Sequence, residues 1–522
     1  MSRFLVVLSF VVFLLSGCGG RSVNENVVET ATEPEDTPEP QIVMLPDTSY
    51  ISAGAVKFVV DTMMPDEPGL LNDISDMYAG TAGAFTFRGG ALRDACFGGS
   101  ISGTPSEIAV DWTFVTDEDY TDTGYGRWGG GTGWTGQPLY VNWPDSCLRC
   151  FRDNGVVHEG FSGQEIIVGS LAGNVYFIDF DSGKASRRAI MAGNPVKGTV
   201  SLDPSLNGNL YVGQGVPARQ PFGAAVIDVY HNEVSHFFGR DPNAWRGWGA
   251  YDSSPLRTGQ FLIRPGENGT VYKYLVHPGG LVLHSTLRYR IENVSPGIES
   301  SVSVYRNYGY VADNHGNVIC FNLNDLRPVW RYCLGDDVDA TAVVTEENGV
   351  PYLYVGCEID RRGTGDARFV KLNGLDGSRV WQSLIDGERA DVDGKHFDGG
   401  YYATALPGSG DCSHLVFSNC VLNTKGRNGV FVAFDRDTGV IRYSLPLKYY
   451  SWSSPVGFLN ERGELYVATA DCAGNVYLIR GIDGHVVCSR RVGANFESSP
   501  VVTGNHMVIG SRGNSIYRLS IL

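Results

Sequence analysis

A unit of four short strands recurs about every 40 to 60 residues along this chain, and no other feature limits its fold so sharply. The unit opens on a small-polar strand start: Ser253-Ser254-Pro255, Ser300-Ser301-Val302, Ser453-Ser454-Pro455, Ser498-Ser499-Pro500. A second strand ends in glycine, as in Ile167-Val168-Gly169, Leu210-Tyr211-Val212-Gly213, Leu353-Tyr354-Val355-Gly356 and Val508-Ile509-Gly510. A tight turn follows, often Gly-Asn (Gly173-Asn174, Gly316-Asn317, Gly474-Asn475, Gly513-Asn514), residues that tolerate left-handed backbone. A third, alternating strand such as Val476-Tyr477-Leu478-Ile479 runs into a turn like Asp437-Thr438-Gly439 or Asp483-Gly484. The fourth strand twice carries a late tryptophan, Trp330 and Trp381.

A lone four-stranded sheet cannot bury both faces, but sheets set radially pack on one another. The pattern predicts an all-β chain: an eight-bladed β-propeller of four-stranded antiparallel blades. Seven complete units start near residues 136, 195, 251, 299, 338, 400 and 451, and an eighth runs from near Phe496 to Leu522 with three strands. Its fourth strand is predicted at residues 110–116, which carry Trp112. The N- and C-terminal strands then close the ring in one blade and leave no open edge. The 67 glycines and a charged fraction of only 19% suit so many tight turns.

These units resemble the PQQ-like repeat family, whose members read roughly strand, Gly-x-x-Gly-Asn-Val-Tyr, strand, Asp-x-x-Thr-Gly, strand, Trp. Thr86-Phe87-Arg88-Gly89-Gly90-Ala91 is similar to the lead-in before such propellers, so the resemblance spans about residues 84–522. The family includes quinoprotein dehydrogenases and also lipoproteins such as BamB, the propeller subunit of the β-barrel assembly machine. The dehydrogenases carry two adjacent cysteines against the quinone, and many carry a haem-attaching Cys-x-x-Cys-His. This chain has no Cys-Cys pair, and Cys147-Leu148-Arg149-Cys150-Phe151 lacks the histidine. Gly-x-Ser-x-Gly and His-Glu-x-x-His are absent as well. The expectation is a binding or scaffold module with no cofactor, neither PQQ nor haem. A surface lipoprotein that binds a glycan or peptide, and a PQQ- and Ca²⁺-dependent oxidoreductase, are the alternatives.

The first residues read as a targeting segment. A short positive start, Met1-Ser2-Arg3, precedes the apolar run 4–15, and Leu15-Ser16-Gly17-Cys18 resembles the bacterial lipobox. That resemblance implies cleavage before Cys18 and its lipidation. Residues 19–47 form an acidic Pro- and Thr-rich tether, 48–108 a lead-in whose first part, to about residue 85, shows no firm element, and 109–522 the propeller. The implied location is the cell envelope, at the outer membrane where there are two. A net charge of −16 excludes nucleic acid and disfavours anionic lipid headgroups, so the membrane is met through the N-terminal lipid.

In a propeller the loops between blades share one face with the turns joining second to third strands. That face gathers Trp128, Trp134, Trp245, Trp248, Tyr251, Tyr450 and Trp452 with Asp336-Asp337-Val338-Asp339. Exposed aromatics there suit an envelope protein or a glycan; rings that plug the channel or pack between blades are the other reading. The loop 386–402 places Asp391, Asp393 and Asp398 among glycines, as a Ca²⁺ site or a solvated acidic loop. Besides Cys18 there are ten cysteines, which in an exported chain permit disulfides. Cys320 and Cys333, Cys412 and Cys420, and Cys472 and Cys488 are the candidate pairs; small buried hydrophobes are the alternative. Cys147 and Cys150 read as a zinc half-site, a redox pair or a local disulfide.

Overall fold

The computed structural model describes residues 56–64, 76–94, 98–392, 395–424 and 426–522. Cys18, the tether 19–47 and Asp393 lie outside them. Among the described residues no helix is long and apolar enough to cross a membrane.

Eight antiparallel blades form the ring that the repeats predict. Blade 1 holds Leu139–Asn142, Gln164–Gly169, Asn174–Asp179 and Ile190–Met191. Blades 2 to 7 open at Ser201–Leu202, Leu256–Thr258, Ser303–Tyr305, Val343–Glu347, Leu406–Pro407 and Val456–Asn460. Blade 8 joins Val501–Thr503, His506–Ser511 and Ser515–Ile521 to Ile108–Val115, with Ser515 opposite Val115 and Ile521 opposite Ile108. Ring closure by the two ends of the chain is thus as expected. A bulge between Val110 and Trp112 frees Asp111 from the ladder, and its carboxylate accepts bonds from Arg518 Nε and Ser520 Oγ, both at 2.8 Å.

The cores lie between blades. Tyr354, Phe369 and Trp381 of blade 5 pack on Val416, Val432 and Phe434 of blade 6, with Phe369 and Phe434 stacked at 4.6 Å. The fourth-strand tryptophans have a defined job. Each lays its indole on the glycine of the next blade's Asp-Gly or Asp-x-Gly turn (Gly183, Gly377, Gly439) and donates its N–H to a carbonyl there: Trp112 to Phe180 (2.9 Å), Trp330 to Gly374 (2.9 Å), Trp381 to Arg436 (3.0 Å). Tyr443 does the same to Gly481. A β-carbon at Gly377 would lie 2.6 Å from Trp330 Cε3, and Gly377 has φ +71°, so both the close approach and the turn demand glycine.

The lead-in runs through the middle of the ring. Leu202 N, Val304 N and Val344 N donate to the carbonyls of Phe85, Ala91 and Leu92. Arg88 Nη1 reaches Pro455 O at 2.7 Å, and Arg93 reaches Val302 O at 2.8 Å and Ser254 O at 3.0 Å. Both guanidiniums are fully buried, and backbone carbonyls satisfy them. Upstream, Val56–Thr62 pairs along Gly280–Ile291 as a fifth, outer strand of blade 3. No strand was assigned there from sequence: Val56–Thr62 finds its partner more than two hundred residues away and carries no turn to mark it.

The expected disulfides are not formed; the nine described cysteines are free. Cys320 stands opposite Trp330 and Cys333 opposite Asn317, three rungs or roughly 10 Å apart along the ladder, beyond the ~7 Å limit for a bridge. Cys412 and Cys420 lie in different interblade cores. Cys488 faces Leu478, six residues from Cys472.

Candidate functional site: an acidic and aromatic recess on the axis

A belt of hydrogen bonds links first strands around the ring. The backbone N–H of Ser254 donates to Ser301 Oγ (2.9 Å), Ser301 to Thr341 (3.0 Å), Thr341 to Thr404 (3.1 Å), Thr404 to Ser454 (3.0 Å), Ser454 to Ser499 (3.2 Å), and Gln137 to Thr199 (2.7 Å). Small-polar strand starts therefore recur because six of the eight blades lend a hydroxyl to a neighbour. The residue two before each belt position occupies the same place in every blade. From blade 1 to blade 8 those residues are Thr135, Lys197, Asp252, Glu299, Asp339, Tyr402, Trp452 and Glu497. The repeat thus places acids on consecutive blades 3, 4 and 5, and aromatics on blades 6 and 7.

Two carboxylate triads converge, Asp252 with Glu267 and Glu299, and Asp337 with Asp339 and Glu358, each with ligand atoms within 4.8 Å. Lys197 Nζ sits in the first triad, in contact with Asp252, 3.7 Å from Glu299 and 4.0 Å from Glu267. Burial opposes its charge, but the three carboxylates outweigh burial and hold its pKa up. Burial first, and then the neighbouring acids, push the carboxyls of Glu267, Glu299, Asp337, Asp339 and Glu358 upward. Asp398, half-buried and beside Asp360, is pushed up to about 6, chiefly by desolvation.

The aromatic wall is continuous. Trp128 and Trp134 lie 5.7 Å apart, Trp134 and Trp452 5.5 Å, and Tyr402 stacks on Trp452 at 4.6 Å. Lys197 Nζ stands 4.4 Å above the Trp134 ring, a cation–π contact. Trp134 and the lead-in's Phe87 close the channel here. About 20 Å³ stays open between them, Asp252, Glu299 and Asp339, room for about one water.

The seven aromatics predicted for one rim do not form one patch. Trp128, Trp134 and Trp452 meet at the axis. Trp248 stands aside with Tyr125 (4.9 Å, edge-on) and Phe222 (5.9 Å), lining a cleft of about 330 Å³ with Pro217, Pro221 and Arg240. Trp245 lies against Arg290 at 4.4 Å. Tyr251 and Tyr450 are buried, at 3% and 5% exposure: Tyr251 packs in an interblade core beside Tyr272, and Tyr450 against Cys472 and Trp452. The acidic loop also differs. Thr364–Asn373 and Arg379–Glu388 pair as far as Thr364 and Glu388, so much of it is strand. Asp391 is exposed and bonded to His396, while Asp398 accepts the Tyr402 hydroxyl at 3.1 Å. The carboxylates that do converge were in part missed: Asp252, Glu267, Glu299 and Glu358, with Lys197. Aligning the units on their strand-start hydroxyls would have found Lys197, Asp252 and Glu299.

No protein-family profile and no curated protein matches the sequence. Solved structures match in fold. A europium-containing methanol dehydrogenase is similar over 84% of this chain and 98% of its own, at 11% identity and a TM-score of 0.58. A quinohemoprotein alcohol dehydrogenase from Comamonas testosteroni is similar over 84% and 80%, at 11% identity and 0.57. BamB from Moraxella catarrhalis covers 70% of this chain and 95% of its own, at 14% identity and 0.47. The strand order and the closing blade agree with the likeness to the two dehydrogenases, which is one of fold: this chain is an eight-bladed β-propeller.

Proposed function

We propose that this chain is a lipid-anchored envelope propeller that binds a protein partner at its axial recess and carries out no redox chemistry of its own. The observation that carries the reading is the polarised ring: acids on three consecutive blades, aromatics on the next two, all at one repeat position. Such a mouth suits a lysine or arginine of a partner, whose charge meets the carboxylates and whose stem lies on Tyr402 and Trp452. Burial and mutual repulsion disfavour the charged form of these carboxyls, and a cationic group pairing with them offsets both. The likeness to a methanol dehydrogenase raises the enzymatic alternative. Against it stands Lys197, whose ammonium fills the first triad and takes the place a bound cation would need.

The test is capture of partners from envelope extracts by the anchored protein. Asp337→Asn with Asp339→Asn should weaken capture at least tenfold, which is ~1.4 kcal/mol, and added salt should weaken wild-type capture in the same direction. Equal capture by variant and wild type would refute the recess as the binding site. Dye-linked alcohol or sugar oxidation after adding PQQ and Ca²⁺ would refute the non-enzymatic reading.

The Trp248 cleft supports a second reading, a glycan or peptide bound at the side. Trp248→Ala should then abolish retention on immobilised envelope glycans with little change in melting temperature. Unchanged retention would exclude the cleft.

A further inference from the structure

We propose that Cys147 and Cys150 form a closable dithiol, a modification site that accepts oxidising equivalents from protein or small-molecule disulfides. The inference rests, for its action in the cell, on the reading of this chain as an envelope protein.

Both cysteines lie on helix α1, Asp145–Asp153, which is inserted between the first two strands of blade 1. Residues three apart on an α-helix share a face, and their Cα atoms are about 5 Å apart by helix geometry. That separation lies inside the ~4.4–6.8 Å window for a disulfide, which the Cys320–Cys333 rungs exceed.

Both thiols are tied to Tyr230, Cys147 directly through the hydroxyl and Cys150 through the Asn154 amide. Cys147 Sγ lies 3.1 Å from the Tyr230 hydroxyl, which itself donates to Leu206 O at 2.7 Å, so the thiol is the donor. Cys150 Sγ accepts Asn154 Nδ2 at 3.7 Å, and the same amide donates to Tyr230 O at 2.8 Å. Burial, the Cys147 contact and the charge of both thiolates together hold the Tyr230 hydroxyl's pKa up, which is consistent with both sulfurs lying beside it.

Their exposures differ in the way a two-step exchange needs. Cys150 is half-exposed, whereas Cys147 is buried at 5% against Phe151 and Leu148. The Cys150 thiolate attacks an external disulfide X–S–S–X, forming Cys150–S–S–X and releasing one XS⁻. The Cys147 thiolate then attacks Cys150 Sγ; the Sγ–Sγ bond forms, the bond to X breaks, and the second XS⁻ leaves. Two thiol protons and two electrons pass to X–S–S–X, which becomes two thiols. The α1 face keeps its register, but Cys147 no longer donates to Tyr230.

Arg149 stands between the two cysteines, so trypsin provides a direct readout. Cleavage after Arg149 and Arg152 separates Cys150-Phe151-Arg152 from the fragment ending at Arg149 unless a disulfide joins them. The full chain, acid-quenched from cells, blocked with N-ethylmaleimide and digested, should yield the two fragments linked, and dithiothreitol should part them. Cys150→Ser should remove the link and leave the alkylation of Cys320, Cys412 and Cys472 unchanged. The purified reduced chain, incubated with oxidised dithiothreitol, supplies the second arm. Closure there with open thiols in the cell would refute envelope residence while upholding the dithiol. Separate, fully alkylated fragments after that incubation would overturn the proposal itself.

Discussion

Asp398 condenses the recess into one titration. Its carboxyl ordinarily titrates at 3.8, and burial with Asp360 nearby lifts it to about 6 in the folded chain. Between those values the folded state holds more protons than the unfolded one, so stability falls as pH rises through the window. Asp398→Asn removes this term and keeps an acceptor for the Tyr402 hydroxyl. The melting-temperature advantage of Asp398→Asn over wild type should therefore be near zero at pH 4 and grow up to pH 7. Calorimetry across that range checks it, and a constant difference would count against a raised carboxyl. The acids are kept at a cost to folding, as groups retained for binding often are. Trp134 takes the opposite part: with Phe87 it fills the axis, so Trp134→Ala opens a cavity in the ring and should cost ~3 kcal/mol or more in stability, whereas Trp248 is free to act at a surface.

At the scale of the element, the blade was legible because its turns are chemically marked. Gly-Asn and Asp-Gly or Asp-x-Gly fixed the hairpins, and alternation fixed the strands. The docking of Trp330 on Gly377 was half visible: both residues recur, but nothing in the one-dimensional pattern says that the indole of one blade needs the glycine of the next. Gly377→Ala should cost several kcal/mol, since a β-carbon would meet Trp330 Cε3 at 2.6 Å and φ is +71°. The same change at Gly279, φ +74° with nothing within 4 Å, should cost only the ~1 kcal/mol of the backbone term. Chemical denaturation of the two variants separates steric from conformational demand. The disulfides were misread because flanking a hairpin is a statement about sequence, while pairing depends on register. The acidic site was only partly legible, since its members come from different blades at one repeat position and are not neighbours along the chain.

At the scale of the molecule, closure depends on one ladder. Ser515–Ile521 joins the C-terminal end of the ring to Ile108–Val115, and Asp111, Arg518, Ser520 and His506 form a polar knot on it. Deleting residues 514–522 removes the third strand of blade 8 and exposes the edges of the second and fourth. The shortened chain should melt well below wild type and aggregate; an unchanged melting temperature would contradict this topology.

The lead-in bears on how such a ring can come to exist. Residues 85–93 are made before any blade, yet end up enclosed by all of them, with Arg88 and Arg93 gripping carbonyls on blades 3, 4, 6 and 7. A wheel finished first would have no opening for this axle, so the rim can lock only with the axle already in place, and the strand that locks it is the last to be made.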